Sequence, residues 1–172
     1  MEQPLAPYSV CNLAAVNLAQ FAQKDSKTID FDSLKETVRV GVRMQDNVID
    51  ATPYFLEENK VQALGERRVG LGVMGLADLL IYCEKEYGSE EGNVLVDQIF
   101  ETIAVTAYET SAGLASERGS FPFLQGETVE ETNRLRNAFI NTGFMKKMPE
   151  HVRESIVEKG IRNSHLLTVA PT

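Results

Sequence analysis

The strongest constraint on this chain lies at its start, where Pro4 and Pro7 lead into the run Val10-Cys11-Asn12-Leu13-Ala14-Ala15-Val16-Asn17-Leu18. Each proline ring removes a backbone N–H and restricts the residue before it, so the first residues form an extended arm rather than a helix. In the run that follows, both alternating sets of side chains are largely apolar, which reads as a strand covered on both faces. Asn12 and Asn17, buried in such a strand, each need partners for a whole amide. Arm and strand together set a carboxylate, Glu2, and a thiol, Cys11, nine positions apart.

A length of 172 residues with 43% hydrophobic content fits one domain with a substantial core. The formal charge of −8 argues against a DNA or RNA backbone as partner, since phosphate binding calls for a basic surface. No run approaches the roughly 18 to 20 apolar residues of a membrane span, and no charged n-region precedes an apolar stretch, so a cytoplasmic address is expected. The two cysteines, Cys11 and Cys83, form no C-x-x-C, and the two histidines, His151 and His165, lie far apart. A disulfide scaffold, a cysteine zinc site and a stand-alone metal hydrolase are therefore poor fits.

Helix signals dominate the rest. Asp30 is placed to cap a helix over 31–50, with Phe31, Leu34, Val38 and Val42 on one stripe and Val40, Met44 and Val48 on another; two stripes predict burial around much of its circumference. Pro53 ends it, and a shorter helix over 55–64 stops at Gly65. After a strand at 68–71, Leu76, Leu79, Leu80 and Cys83 lie at helical spacing. Ser89 with Glu90 and Glu91 starts the longest helix, which reaches about Glu117 and is closed by Gly119. Thr128 with Glu131 predicts a capping box, and Pro149 a first helical position. Residues 166–169 read as a last buried strand. The expected fold is helix-rich α/β, with few short strands in parallel pairing, and residues 1–172 form a single segment without repeat or linker. Open edges on so small a sheet make the chain look like a slice of a larger barrel, and predict self-association into a homo-oligomer.

Gly70-Leu71-Gly72-Val73-Met74-Gly75 matches G-x-G-x-x-G. Its context, Arg67-Arg68 before it and a turn at 87–89 where an acidic strand end belongs, argues for a tight strand-to-helix turn with close backbone packing instead of a dinucleotide site. Asp46 and Asp50 share a helix face but lack further metal ligands; a solvated face or hydrogen bonds to a neighbouring loop is the favoured reading. Cys83 reads as a core residue, His151 as exposed, and His165 as a satisfied structural histidine beside a pocket. Taken alone, Cys11 and Glu2 also have bland readings, a buried strand cysteine and an ordinary surface acid.

Three separated strings change that balance: Glu2-Gln3-Pro4-Leu5 with Cys11-Asn12-Leu13 and Val16-Asn17-Leu18; Arg67-Arg68 through Gly75 to Leu79; and Arg162-Asn163 with Val169-Ala170-Pro171-Thr172. In this order they resemble the large subunit of ribonucleotide reductases, closest to the adenosylcobalamin-dependent class. The resemblance implies a partial segment of a ten-stranded α/β barrel, incomplete at both ends and without reductase activity alone, as in a split or intein-interrupted reductase. It implies that Glu2 is the catalytic glutamate acting as general base on the substrate 3′-hydroxyl while a thiyl radical takes the 3′-hydrogen. It implies that Cys11 is one of two cysteines oxidised to a disulfide as the 2′-hydroxyl leaves as water, reset by a thioredoxin-like or dithiol reductant. It implies that Ala170, Pro171 and Thr172 open the loop whose amides hold the phosphates of the ribonucleotide substrate, expected to be a diphosphate. The radical cysteine, the second redox cysteine and the Gly-Ser continuation of that loop belong to missing reductase segments.

The short connector from Glu2 to Cys11 favours the cobalamin class over the iron-dependent class I. No residue is assigned to the corrin, although the turn at 70–75 is a candidate to face the cavity. A non-catalytic helical scaffold derived from a reductase is the competing reading, and a nicotinamide-binding protein a distant third.

Overall fold

The fold is described from a computed structural model, over residues 2–170. After the arm, β1 (Asn12–Asn17) leads through a short 3-10 turn into a small antiparallel pair, β2 (Ala22–Gln23) and β3 (Thr28–Ile29). Asp30 caps α1 (Phe31–Ala51) by accepting the Ser33 amide at 2.9 Å, and helix α2 (Glu57–Glu66) follows. The chain then enters β4 (Val69–Met74), which lies parallel to β1 with Asn12 opposite Val69 and Asn17 opposite Met74. A helical crossover between parallel strands is what the alternation of strand and helix signals predicts.

Four helices complete the chain: α3 (Leu76–Tyr82), α4 (Glu90–Arg118), α5 (Val129–Ile140) and α6 (Glu150–Lys159). Ser89 accepts the Gly92 amide at the start of α4, and Gly119, at φ +84°, closes it. Thr128 accepts the Glu131 amide, while the Glu131 carboxylate reaches back to the amide of Glu127, one residue beyond the Thr128 amide that a full capping box would engage. Pro149 stands at the cap of α6 instead of its first turn. One apolar core joins Leu18, Leu34, Val42, Ile99, Leu114 and Ile156 across the strands and helices. The fold is helix-rich α/β, and among the described residues no barrel closes. No helix of the described residues is long and apolar enough to cross a membrane.

Three expectations need correction. β1 is not covered on both faces: Val16 is buried against the core, but Leu13, on the opposite face, is 52% exposed. α1 covers only the first face; Asn12 donates to the carbonyl of Gln45 at 3.0 Å, and Gln45 donates back to the carbonyl of Asn12 at 2.7 Å. The second stripe of α1 also faces outward, with Val40, Met44 and Val48 all exposed. Finally, residues 166–169 make a single parallel bridge, Leu71 to Leu167, and no extended strand. The carbonyls of two successive residues, His165 and Leu166, both accept from β4, at Val69 and Leu71. In a regular strand successive carbonyls point to opposite sides, so the backbone bends here and the ladder cannot propagate.

Candidate active site

The site forms on the open face of β1 and β4. Strand alternation puts Cys11 and Leu13 on that face beside Gly70, and two glycines leave room there for a third chain segment. A Cβ on Gly70 would lie 2.7 Å from Cys11 Sγ and 2.9 Å from Thr168 Cγ2, and one on Gly72 would lie 2.8 Å from the carbonyl oxygen of Thr168. These glycines sit inside β4, where they admit a crossing backbone; only Gly75, at φ +71°, makes the expected strand-to-helix turn, at the cap of α3. The returning segment thus passes over Gly72 and runs toward Ala170, while Pro171 and Thr172 lie outside the described residues.

The arm crosses the same face. Gln3 donates through Nε2 to the carbonyls of Val69, at 3.0 Å, and Leu167, at 2.9 Å. Its Oε1 accepts from Arg68 Nη1 at 3.1 Å and lies 3.8 Å from Cys11 Sγ. Arg68 also donates to the carbonyl of Pro4 and pairs with Glu66 at 3.2 Å; Glu66 in turn accepts from the Ser9 hydroxyl. Arg68 and Glu66 are both nearly inaccessible, so this pair is a buried staple for the arm. The Asn59 side chain holds the carbonyl of Tyr8 at 2.8 Å, where the backbone turns through φ +61°.

Glu2 is exposed on this arm, and Cys11 is partly buried. Burial pushes the Cys11 thiol up from its ordinary value; Arg68 pulls against the rise, and the charges of Glu2 and Glu66 add to it. Glu2 and Cys11 are therefore electrostatic neighbours, as are Arg68 and Cys11. His165 borders an apolar cavity of about 600 Å³ between the returning segment and helices α4 and α5, with Leu71, Ile103, Phe139, Phe144 and Leu167 among its walls. Its Nδ1 lies 3.0 Å from Ser164 Oγ; burial first, then Arg68, lowers its pKa, with Glu66 opposing. Cys83 is buried in the core, and His151 is exposed beside Glu109 at 2.9 Å, both as expected.

A second cluster anchors the returning segment. Asp46 is fully buried and accepts from Arg67 Nε at 2.9 Å, Arg162 Nε at 3.3 Å and Asn163 Nδ2 at 3.1 Å, with Arg118 at 3.5 Å. The solvated-face reading fails for Asp46, while the alternative of hydrogen bonds to neighbouring segments holds. Asp46 falls one turn after Val42 on the buried stripe, a position where an acid must find cations. Asn163 adds a bond to the Arg67 carbonyl at 3.0 Å and another from the Ser111 hydroxyl at 2.8 Å. Asp46 was weighed from the sequence as a helix-face acid, and Gln3, Arg67, Arg68, Arg162 and Asn163 stand in the strings that carry the resemblance, but neither they nor Glu66 were given a place in the site; the Arg67-Arg68 pair before an apolar strand was the available signal. Among the described residues no group of acids, histidines and cysteines is arranged to hold a metal ion.

The arm, the strand cysteine and the returning segment meet at one place, and the family model for the ribonucleotide reductase barrel domain matches residues 1–172. The chain belongs to this family. It is similar to the vitamin B12-dependent ribonucleoside-diphosphate reductase of Thermoplasma acidophilum, with 42% identity over 142 residues, covering 82% of this chain and 18% of the relative. The corresponding B12-dependent enzyme of Mycobacterium tuberculosis is 39% identical over 141 residues, 82% of this chain and 20% of the relative. The ribonucleoside-diphosphate reductase subunit alpha of Chlamydia pneumoniae is 36% identical over 177 aligned positions, 95% of this chain and 17% of the relative. The chain thus spans about a fifth of the length of these reductases.

Proposed function

We propose that this chain supplies one portion of the catalytic barrel of a ribonucleotide reductase that makes 2′-deoxyribonucleotides for DNA synthesis, acting on ribonucleoside diphosphates. Residues 1–172 act as one segment and do no reductase chemistry alone. The observation that carries the reading is the convergence on the Gly70 and Gly72 face: the Glu2 arm, Cys11 and the segment leading to Ala170 are held within one hydrogen-bonded neighbourhood.

In this reading Glu2, exposed on its arm, takes the proton of the substrate 3′-hydroxyl while a thiyl radical from another part of the reductase removes the 3′-hydrogen. Cys11 and a second cysteine beyond this segment give two electrons and two protons. The C2′–O bond breaks, the oxygen leaves as water, a hydrogen takes its place, the two sulfurs join as a disulfide, and the 3′-hydrogen and the hydroxyl proton return to the sugar, which restores the thiyl radical and the Glu2 carboxylate. A thioredoxin-like protein or a small dithiol restores them. Burial favours the neutral thiol of Cys11, the form that donates hydrogen. Ala170, Pro171 and Thr172 begin the phosphate loop.

The names of two relatives favour the cobalamin-dependent class for the complete enzyme, and the short connector supports it. The cavity beside His165 does not fit a corrin, because its mostly apolar walls offer few donors to a macrocycle's polar periphery. Cobalamin would be held by sequence beyond them. A cytoplasmic address and homo-oligomeric assembly accompany the proposal. The test is to join residues 1–172 to the missing reductase sequence and assay conversion of ribonucleoside diphosphate to deoxynucleotide with adenosylcobalamin and a dithiol. Turnover by the completed protein and none by the 172-residue chain is expected; turnover by the chain alone, or none by the completed protein, overturns the reading.

A further inference from the structure

We propose that Gln3 is a positioning residue of this site, whose single amide fastens the arm carrying Glu2 to both β4 and the returning segment and presents its oxygen toward Cys11. The inference rests on the reading of Glu2 and Cys11 given above. Gln3 uses the whole capacity of its amide. Both N–H groups are taken by carbonyls 98 residues apart in sequence, those of Val69 and Leu167, and the oxygen is shared between Arg68 and the Cys11 thiol. An arm needing only to be tied down is already tied by Arg68 to Pro4 and by Ser9 to Glu66. What Gln3 adds is specific to its position. It adjoins Glu2 and touches, at once, the strand behind the site, the segment leading to Ala170 and the sulfur. Those are the three parts whose spacing a reaction at one substrate would have to hold.

No other side chain type reproduces this. A glutamate keeps the Arg68 contact but offers carboxylate oxygens to two carbonyls, and a methionine keeps the length but offers no donor. Removing Gln3 removes no core packing, because the arm lies outside the buried cluster. Loss of alignment without loss of fold is therefore expected, and misplacement of a reacting group by about 1 Å can cost roughly a hundredfold in rate.

The experiment compares Gln3→Met and Gln3→Glu with wild type, Glu2→Gln and Cys11→Ser in the reductase completed as above, measuring kcat and KM separately. Thermal melting serves as the folding control. Both Gln3 variants are expected to lower kcat by roughly tenfold to a hundredfold, with KM and melting temperature near wild type, and Gln3→Met, which adds no charge beside the thiol, to speed alkylation of Cys11 by iodoacetamide as the arm loosens. If Glu2→Gln and Cys11→Ser abolish turnover while Gln3→Met retains the wild-type kcat, the positioning role is wrong and the site reading stands. If Glu2→Gln and Cys11→Ser turn over normally, the site reading fails and the positioning role fails with it. A rise in KM at unchanged kcat, or a melting temperature that falls in step with kcat, also overturns the positioning role.

Discussion

Asp46 Oδ1 lies 2.9 Å from Arg67 Nε, and neither side chain is more than 4% exposed. The pair joins the middle of α1 to the residue just before β4, and through Arg162 and Asn163 it extends to the segment returning over Gly72. A carboxylate so enclosed is stable only because every neighbour donates to it; removing it strands buried guanidinium charge.

Asp46→Ala is therefore expected to destabilise the fold by about 3–5 kcal/mol. Asp50, which also pairs with Arg67 but has a side chain 50% exposed, is screened by water, so Asp50→Asn is expected to cost less than about 1 kcal/mol. Urea unfolding of the two variants measures the difference, and equal costs would contradict the assignment of Asp46 as the hub.

Gly72→Ala places a methyl group 2.8 Å from the Thr168 carbonyl oxygen, a backbone atom without a rotamer to escape through. The expected cost is about 1–3 kcal/mol, accompanied by increased amide exchange at Thr168, whose N–H bonds to the Leu71 carbonyl. Gly113→Ala, on a helix face with no atom within 4 Å of the added group, is the control and should be neutral or slightly stabilising.

The alkylation of Cys11 by iodoacetamide is expected to rise with pH along a curve displaced above the ordinary thiol range, because burial favours the neutral form. Arg68→Met removes the cation that opposes this and moves the curve further up, whereas Glu2→Gln removes a neighbouring anion and moves it down. Shifts of the opposite sign would contradict the placement of these charges around the sulfur.

Acid acts on two partly buried groups whose folded pKa is lowered, His165 and Asp50. Burial depresses His165, so its contribution is complete above its ordinary value of 6.5 and is lost as pH falls through the folded value. The Arg67 hydrogen bond depresses Asp50, whose contribution is lost in the same way below 3.8. Stability in urea should therefore fall in two stages, and His165→Asn should remove the first. On the alkaline side, burial raises Tyr108 from 10.0 to about 12, so its contribution is full below 10.0 and lost as pH rises toward 12. Tyr108→Phe should remove that loss.

Much of the helical frame was legible because the longer helices carry their own boundary chemistry: Asp30, Ser89 and Thr128 at starts and Gly119 at an end. The arm was legible from Pro4 and Pro7. What failed were inferences that depend on neighbours. The apolar character of Leu13, Val40 and Met44 says that water is unfavourable, not that this segment supplies the cover. Residues 166–169 have strand composition, yet two successive carbonyls turn the same way toward β4 and end the ladder. The polar contacts joining residues far apart were the least visible. Gln3 and Leu167 are 164 positions apart, and Asp46 and Asn163 117, and no local pattern announces either pair.

The most direct measurement is single-turnover reduction of a ribonucleoside diphosphate by the completed reductase, with and without Cys11→Ser and Glu2→Gln. Deoxynucleotide is expected to form with wild type, together with one disulfide that includes Cys11, and neither variant is expected to form it. Deoxynucleotide formation at the wild-type rate by either variant would contradict the assignment of reductant and base to this segment.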